Sequence, residues 1–597
     1  MQNHIFHIPV LGLGYSIDTP LKVARYGISS VLSIVDDELI ERMREYHCKQ
    51  NDVPFTPISK QENDSRAKRI TAYLNFLDKL IDEDFKAFQL MPFEQDNDLK
   101  RYFDLLPESS VLRQGYDLML EYPDGERKKI FQQVLKKMLV KGSIDVNIMA
   151  KVDKLNFDAE GNFTGEKHTD ALSALRGFAN SNLQSSLILS AGMNPKLYSY
   201  MEEFGDFFPD EKGKIRKKII LKVSDYRSAL IQAKFLAKKG LWVSEFRIES
   251  GLNCGGHAFA TDGLLLGPIL EEFKQNRQQM AAELWEMCKN ALWTKGYQIA
   301  ERPIQRITAQ GGIGTAQEND FLINYYQLDG TGWGSPFLLV PEVTNVDEST
   351  LNHLTASGSD DYYLSDASPL GVLFNNFKSS TIEEERMNRI EKGRPGSPCT
   401  KKYLCTNTEF TEEPICTASR KYQHYKIQEL EKSGLDKEQY TSAFEAVTAK
   451  VCLCEGLCAS VYLKNGMLKP KESKAVAICP GPNLAYFKRS YTLDEMTAHI
   501  YGKINLLKDV TRPHVFINEL NLYVDYLRKS VTACLQQMDN KKGKQLQKFR
   551  QQLQQGINYY EGIANQLASP FNEFHKQLII AQKHLNAIAC GIEVCIN

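Results

Sequence analysis

The fold is decided by a nine-residue stretch, ESGLNCGGH, at residues 249–257. It follows the apolar run Leu241 to Ile248, which is typical of a buried strand, and a turn rich in Gly and Leu leads from it into a long helix. Glycine has no Cβ and lets the backbone approach a flat or anionic ligand, and histidine suits proton transfer near neutral pH. A Gly-Gly-His sequence alone also fits a tight turn with a surface histidine, so the neighbouring segments have to decide.

These neighbouring segments alternate between strand and helix patterns. The eight predicted strands centre near residues 8, 31, 146, 188, 220, 245, 306 and 337. Strands that alternate with helices indicate a parallel sheet with crossover connections. Eight such units in about 340 residues, with one insertion, predict a (β/α)8 TIM barrel, whose chemistry lies at the carboxyl ends of the strands.

The rest of the chain is predicted to add three parts to this barrel. Residues 1–37 and 141–395 would form the barrel, 38–140 an inserted helical subdomain, 396–482 a Cys-rich segment and 483–597 a helical C-terminal domain. The insertion fits either a lid that buries a barrel face or an element of substrate specificity. The C-terminal helices fit a hairpin packed on the barrel or on a second subunit, and a partner or RNA contact through the basic stretch 541–544 is the alternative.

Composition excludes several classes of function. With 42% hydrophobic and 25% charged residues among 597, the chain has ordinary globular usage. Its 73 basic and 74 acidic residues balance, so we expect no nucleic acid and no anionic membrane as partner. The sequence shows neither an apolar run of about 18 residues nor a secretory signal. We therefore expect a cytoplasmic protein with mostly reduced thiols, and a homodimer is one expected assembly.

Two glycine-rich loops, after the last two predicted strands, are expected to bind an anion. Gly311, Gly312 and Gly314 lead directly into a helix, whose first N–H groups and dipole attract negative charge. Gly334 and Ser335 can add N–H donors from the next strand, and phosphate binding by these two loops is common in barrels. Two tight turns chosen for geometry are the alternative.

The other end of the expected ligand is flat. Gly12 and Gly14 allow a ring to lie on the backbone after the first strand. Asn147, in the third strand, is placed either to bind ring heteroatoms or to be a satisfied core amide. A flat ring attached to a phosphate is what FMN offers, so the pattern favours FMN as cofactor.

Five short motifs carry a resemblance to known flavoenzymes. They are IPVLGLG at 8–14, VNIMA at 146–150, GGH at 255–257 after an acidic residue, AQGGIG at 309–314 and GWGSPF at 332–337. Their order and register resemble the nitronate monooxygenases and the FMN-dependent enoyl reductases of polyunsaturated fatty acid and polyketide synthases. The segment 363–394 is more similar to the enoyl-reductase branch. The resemblance covers residues 1 to about 395, less the insertion.

The resemblance implies an FMN-dependent oxidoreductase in which His257 is the active-site acid or base, with Gly255 and Gly256 beside the flavin. In nitronate oxidation that histidine is the base; an enoyl reductase would use it to deliver a proton. The implied substrate is a small molecule, either a nitronate or an acyl thioester. Asn253 and Cys254 stand where the family usually has a carboxylate or a small residue, and the insertion has no counterpart, so the substrate stays open.

Seven of the 13 cysteines lie between residues 399 and 479, a density that suggests a metal site in a reducing compartment. The motif Cys479-Pro480 is of a kind common at iron–sulfur clusters. The spacing matches neither a zinc ribbon nor a ferredoxin, so an iron–sulfur cluster, zinc and free thiols all stay open. The candidate ligands are Cys399, Cys405, Cys416, Cys452, Cys454 and Cys458.

The cysteines also define the alternatives in function. A cluster beside a flavin would make the chain an electron-transfer subunit of a larger assembly. A barrel that has lost its flavin and serves as a binding scaffold is a third interpretation, which the glycine loops and His257 argue against.

Overall fold

The structure is a computed structural model. It describes residues 4–93, 97–149, 153–157, 160–190, 192–258, 262–537, 539–568 and 573–596. Ala150, the last residue of the VNIMA motif, lies outside these ranges.

Eight parallel strands close into a barrel in chain order, which confirms the predicted fold class. The pairs Phe6–Thr331 and His7–Gly332 join the first strand to the eighth. Almost every strand residue is buried, because helices cover the outside and side chains fill the inside. The strands are β1 (Phe6–Ile8), β2 (Ser29–Ser33), β3 (Ile144–Ile148), β4 (Ser186–Leu189), β5 (Lys218–Val223), β6 (Val243–Glu249), β7 (Arg306–Gln310) and β8 (Gly330–Gly332).

The predicted position of the eighth strand, near residue 337, is wrong. The strand is Gly330–Gly332, and the apolar run Ser335–Leu339 forms a buried 3-10 helix. Pro336 explains the difference, because proline lacks the N–H that a strand ladder needs and its fixed φ suits the first turn of a helix. Gly334 and Ser335 consequently follow the carboxyl end of the strand, the edge at which barrel sites lie.

The region 38–140 is helical, as expected. It spans most of α2 (Asp37–Gln50) and all of α3 (Ser65–Leu90), α4 (Asp98–Leu105), α5 (Val111–Glu121) and α6 (Glu126–Met138), which follow α1 (Thr19–Val23). The long helix α3 packs against α2 and against α7 (Asp170–Ala179), the helix after β3. Its buried Ile70, Leu74 and Leu77 recur at helical spacing. This helix therefore belongs to the outer layer of the barrel, while the predicted domain boundaries stay predictions.

The remaining helices complete the barrel and the C-terminal parts. They are α8 (Pro195–Tyr200), α9 (Tyr226–Ala237), α10 (Leu266–Thr294), α11 (Ala316–Tyr326), α12 (Glu348–Ala356), α13 (Thr381–Glu391), α14 (Arg420–Lys432), α15 (Lys437–Thr448), α16 (Leu453–Lys464), α17 (Leu493–Ile500), α18 (Val515–Gln537), α19 (Asn540–Ala568), α20 (Phe574–Ala587) and α21 (Ala589–Ile596). Between α12 and α13, β9 (Tyr362–Ser365) and β10 (Phe374–Phe377) form an antiparallel pair.

The helices α18–α21 pack on one another, and α18 and α19 contact α10 of the barrel. Their apolar side chains join the barrel in one buried core. By length and composition the stretch Phe574–Ile596 is apolar enough to cross a membrane, and the bent pair α15–α16 would count as a second span. The apolar window of the stretch Phe574–Ile596 is 28% buried, and one or two such helices are weak evidence for a membrane, because core helices of soluble proteins and signal sequences have the same composition.

Candidate active site

A cavity of about 220 Å³ lies at the carboxyl ends of the barrel strands. Its walls come from the loop after β1, the ends of β2 to β5, the segment after β6, the β9–β10 pair and the Cys-rich segment. Most of the lining side chains are apolar, which is usual for a small-molecule site. The lining residues are Val10, Leu11, Gly12, Leu13, Ser33, Val35, Asn147, Met149, Ser190, Lys222, Gly255, Gly256, His257, Leu370, Val372, Phe374, Tyr403, Leu404, Leu453, Cys454, Leu457 and Cys479.

The segment that carries His257 is held as an extended piece between two neighbours. On one side Gly255 forms a β-bridge with Pro480, and on the other His257 forms one with Phe374. The Gly256 N–H donates to the Cys479 carbonyl at 2.9 Å. The imidazole is therefore fixed at the cavity wall by main-chain contacts with segments more than 100 residues away.

Ser368 orients the imidazole. His257 Nε2 and Ser368 Oγ share a hydrogen bond of 2.7 Å, and the Phe374 ring lies 5.2 Å from the imidazole, edge to face. The Leu370 N–H donates to the same Oγ at 3.2 Å. A serine beside a histidine also suits a nucleophile and its base. However, Ser368 is fully buried and does not line the cavity, so it positions the imidazole.

The sequence analysis did not single out Ser368, although this residue lies in the segment 363–394 that resembles the enoyl-reductase branch. A serine one residue before a proline gives no separate signal of a role. Only the packing of the β9–β10 pair against the segment after β6 brings its hydroxyl to the imidazole.

Three glycines give the cavity a flat backbone wall. A Cβ added to Gly12, which has φ +126°, would lie 2.9 Å from the Tyr15 ring. At Gly255 it would lie 2.3 Å from the Cys479 carbonyl oxygen. At Gly256, in contrast, no atom lies within 4 Å of the added Cβ, so this glycine faces open space. The first two glycines are needed for packing, and the third leaves room for a ligand.

Besides His257, several polar side chains line the cavity, among them Lys222 and Asn147. Lys222 lines it with its ammonium 2.8 Å from the Glu249 carboxylate. Asn147 lines it from the end of β3, and among the described residues its amide has no hydrogen-bond partner. Because an amide without a partner gains most from a ligand that supplies donors and acceptors, Asn147 is suited to bind ring heteroatoms.

Gly14 lies outside the cavity. Its N–H donates to the Leu457 carbonyl at 3.1 Å, and an added Cβ would lie 2.9 Å from Val461 Cγ1. The glycine is thus required where α16 approaches the loop after β1, and its contacts are with protein.

The two predicted phosphate loops are also packed against protein. A Cβ added to Gly311, Gly312 or Gly334 would lie between 2.3 and 2.9 Å from atoms of residues 252–254. The loops therefore lie next to each other, as expected, but both pack against residues 252–254. Of the residues that the structure describes around the cavity, none comes from these two loops.

A carboxylate of the protein occupies the helix N-terminus that was expected to bind an anion. Glu318 accepts hydrogen bonds from the N–H groups of Gly314 at 2.8 Å and Val515 at 2.7 Å. Its partner is Arg512, at 2.6 Å, and both side chains are at most 4% exposed. Burial opposes ionisation of Glu318, but the Arg512 guanidinium and the Gly314 N–H hold its pKa below the usual value.

Other polar groups of the loops also bond to protein, in part to the C-terminal part of the chain. Ser335 Oγ accepts from the Gly481 N–H at 2.7 Å and donates to the Cys254 carbonyl at 3.0 Å. Asn483 donates to the Ile313 carbonyl at 2.8 Å. Sequence reasoning had one signal for Glu318: residues 315–318 have the Thr-x-x-Glu pattern of a capping box.

Five of the six candidate metal-binding cysteines lie in a second apolar core, formed by the Cys-rich segment. They are Cys399, Cys405, Cys416, Cys452 and Cys454. Cys458 instead belongs to the main core, where its thiol lies 3.4 Å from the Asp36 carboxylate. Cys454 and Leu453 line the cavity as well, so the thiol-rich core adjoins it directly.

The cavity residues fit one end of FMN and not the other. The glycine wall, the apolar side chains and the Asn147 amide match a flat heteroaromatic ring. The loops expected to hold its phosphate have the Glu318 carboxylate and the Arg512 guanidinium in place of a ligand. A phosphate brought there would meet a buried negative charge, so these loops do not fit that group as they stand.

No family model and no curated protein matches the sequence. Among solved structures, the enoyl reductase domain of MlnA from Bacillus amyloliquefaciens matches 64% of this chain and 86% of its own, at 14% identity and TM-score 0.35. FabK from Thermotoga maritima matches 85% of this chain and 94% of its own, at 10% identity and TM-score 0.35. Nitroalkane oxidase from Streptomyces ansochromogenes matches 85% of this chain and 97% of its own, at 9% identity and TM-score 0.33. At this level of identity and superposition the neighbours assign no activity to the chain.

Proposed function

We propose that this protein is a flavin-dependent oxidoreductase that acts on a carbon acid, of the nitronate or the enoyl thioester kind. The observation that carries the proposal is the convergence of His257, the backbone wall of Gly12 and Gly256 and the Asn147 amide on one apolar cavity. These groups come from three different strand ends, and such convergence at the carboxyl edge is typical of barrel active sites.

The residues have separate roles in this proposal. A bound flavin supplies hydride or single-electron transfer, while the protein supplies position and electrostatics. His257 takes an α-proton from the substrate or delivers one to it, and the Ser368 hydroxyl keeps its ring in one orientation. The apolar side chains around it exclude water, which strengthens the electrostatic interactions inside the cavity.

The recognition of the flavin would rest on its ring. Because Glu318 and Arg512 fill the loops after β7 and β8, a flavin phosphate gains no contacts there. A phosphate that did gain them would contribute about 1.5–3 kcal/mol for each hydrogen bond to a charged group. Two such bonds would favour FMN over riboflavin by more than about a hundredfold.

Titration of the flavin-free protein with FMN and with riboflavin tests both claims: that the protein binds a flavin, and that it recognises the ring and not the phosphate. We expect both to bind with broadly similar affinity, within about tenfold of each other. Preference for FMN by more than about a hundredfold would show that the loops open for phosphate. The proposal that the protein binds a flavin would still stand. If neither flavin bound, the proposed function would be lost.

A matched pair of variants tests the role of His257. His257→Ala should keep its flavin and lose turnover of a nitronate or an enoyl thioester by about a hundredfold or more, as expected for a general acid or base. His353→Ala removes an exposed histidine on α12 and serves as the control. Unchanged turnover in His257→Ala would remove the imidazole from the reaction.

A further inference from the structure

A further cavity, called the lower cavity here, lies at the end of the barrel opposite to the candidate active site. Its volume is about 90 Å³. Phe6, Ser29, Ser186, Lys218 and Arg306 line it, and each of them is the first residue of its strand. The lower cavity therefore lies at the amino ends of the strands, whereas the active sites of barrels lie at the carboxyl ends.

A small apolar cluster lies between the two cavities. It consists of Val31, Ile188 and Ile220, with Val10 packed against them. Val10 lines the candidate active site and Ile220 lines the lower cavity. Since no described residue belongs to the linings of both, the lower cavity is a separate space and not an extension of the active site.

The lower cavity is polar, although barrel interiors are usually filled with branched apolar side chains. Apart from Ile5, Phe6 and Ile220, every described residue of its lining has a polar or charged side chain. A single water molecule needs roughly 10–15 Å³ of such space. The lower cavity is therefore large enough for a group of waters or for one small polar ligand.

The ion pairs of the lower cavity leave a surplus of positive charge. Glu245 is paired with Arg247 at 2.8 Å and with Arg306 at 3.7 Å, and the same Arg247 lies 3.8 Å from the Asp145 carboxylate. Lys218 adds a further cation, and the described residues give it no ion pair. Three cations therefore face two carboxylates, so the lining carries at least one uncompensated positive charge.

Two donor groups of the lining also lack a protein partner among the described residues. Ser185 is 5% exposed, and its Oγ makes no hydrogen bond. Arg247 directs Nε and Nη2 towards its two carboxylates, and no described residue accepts a hydrogen bond from its Nη1. A buried donor without an acceptor destabilises the folded state, so both groups favour a ligand that supplies acceptor atoms.

We propose that the lower cavity binds one small oxyanion, a phosphate ion or a short carboxylate, between Arg247, Lys218 and the Ser185 hydroxyl. A guanidinium group matches the spacing of carboxylate and phosphate oxygens, and a serine hydroxyl can donate to another oxygen of the same ion. The bound oxyanion would connect the amino ends of β4 and β5 with β6. Because it binds the folded chain, it would stabilise the barrel.

Calorimetric titration of the full-length protein with inorganic phosphate and with acetate, in a chloride buffer of constant ionic strength, tests the site. We expect saturable binding of one oxyanion per chain, and the tighter of the two ions identifies the class. Ser185→Ala should weaken binding by about tenfold or more, and Lys218→Met by about twofold to fivefold. Lys212→Met is the matched control, because Lys212 is an exposed lysine that precedes β5 and lies outside the lower cavity.

Two further measurements keep the test independent of folding defects. Without an oxyanion, Ser185→Ala should be at least as stable as the unmodified protein, because it removes a buried hydroxyl that has no partner. In the unmodified protein, the oxyanion that binds should slow acetylation of the Lys218 amine and leave that of Lys212 unchanged.

Three results would overturn the proposal. If neither oxyanion showed saturable binding, the lower cavity would hold water alone. If Ser185→Ala bound the oxyanion as tightly as the unmodified protein, the ion would lie elsewhere. Equal acetylation of Lys218 with and without bound oxyanion would also place the ion outside the lower cavity.

Discussion

The ion pair between Glu318 and Arg512 makes the sharpest prediction about stability. The Arg512 guanidinium donates to the Glu318 carboxylate at 2.6 Å, to the Asn483 amide oxygen at 2.9 Å and to the Gly312 carbonyl. Removing it by Arg512→Ala leaves a carboxylate that is 1% exposed without its counter-charge. Breaking a buried pair of this kind costs about 3–5 kcal/mol.

The loss of stability in Arg512→Ala is compared with the loss from breaking a solvent-exposed ion pair. Glu45 and Lys49 form an ion pair on α2 whose side chains are 44% and 70% exposed. Lys49→Ala should change the free energy of unfolding by less than about 1 kcal/mol. Thermal unfolding of the two variants beside the unmodified protein gives the comparison, and the fall in Tm should be several times larger for Arg512→Ala.

A double variant separates loss of charge balance from loss of packing. Glu318→Gln combined with Arg512→Met removes both charges and keeps most of the volume, so it should be more stable than Arg512→Ala alone. If Arg512→Ala were no more destabilising than Lys49→Ala, the Glu318–Arg512 ion pair would not be buried as the structure describes it. The reasoning that the anion site is filled by protein would then be refuted.

Three further outcomes follow from single contacts. Ser368→Ala removes one hydrogen bond to His257 and should lower turnover by about twofold to tenfold and change its pH profile, with flavin affinity unchanged. Gly14→Ala should lower Tm, because its Cβ would lie 2.9 Å from Val461, and should leave ligand affinity as it was. Burial raises the pKa of Glu519 to about 7 from 4.5, although two N–H groups donate to its carboxylate. The folded state then keeps a proton that the unfolded state loses, so the free energy of unfolding should fall by about 3 kcal/mol as pH rises from about 4.5 to about 7, and Glu519→Gln should remove this slope.

The parts of the site that follow strand ends were predictable from sequence. Gly12, Asn147 and His257 each stand at or just after a segment with strand character, and the carboxyl ends of parallel strands meet at one edge. Alternation of strands and helices therefore gave both the barrel and three cavity residues. The homodimer, the cytoplasmic location and the absence of a nucleic-acid partner stay predictions, since they depend on surfaces and not on this edge.

The contents of the phosphate loops could not be predicted in the same way. Glycines before a helix indicate that N–H groups are available there, but they do not reveal what approaches them. Arg512 and Asn483, which meet these loops, come from segments more than 160 residues later in the chain. Such contacts depend on how the C-terminal helices pack on the barrel, and no local pattern encodes them.

The C-terminal parts are components of the cavity and not attachments to a finished barrel. Cys479 and Pro480 pair with the main chain of Gly255 and Gly256, and Ser368 fixes the imidazole of His257. Each of these partners follows the last barrel strand in sequence. A barrel that ended near residue 340 would keep its strand ends, its glycines and the Ser335 contact with the Cys254 carbonyl. It would lack the β-bridges to Pro480 and Phe374 and the hydrogen bond between Ser368 and the imidazole. Because the chemistry proposed for this cavity requires a fixed imidazole, the function and the C-terminal extension depend on each other.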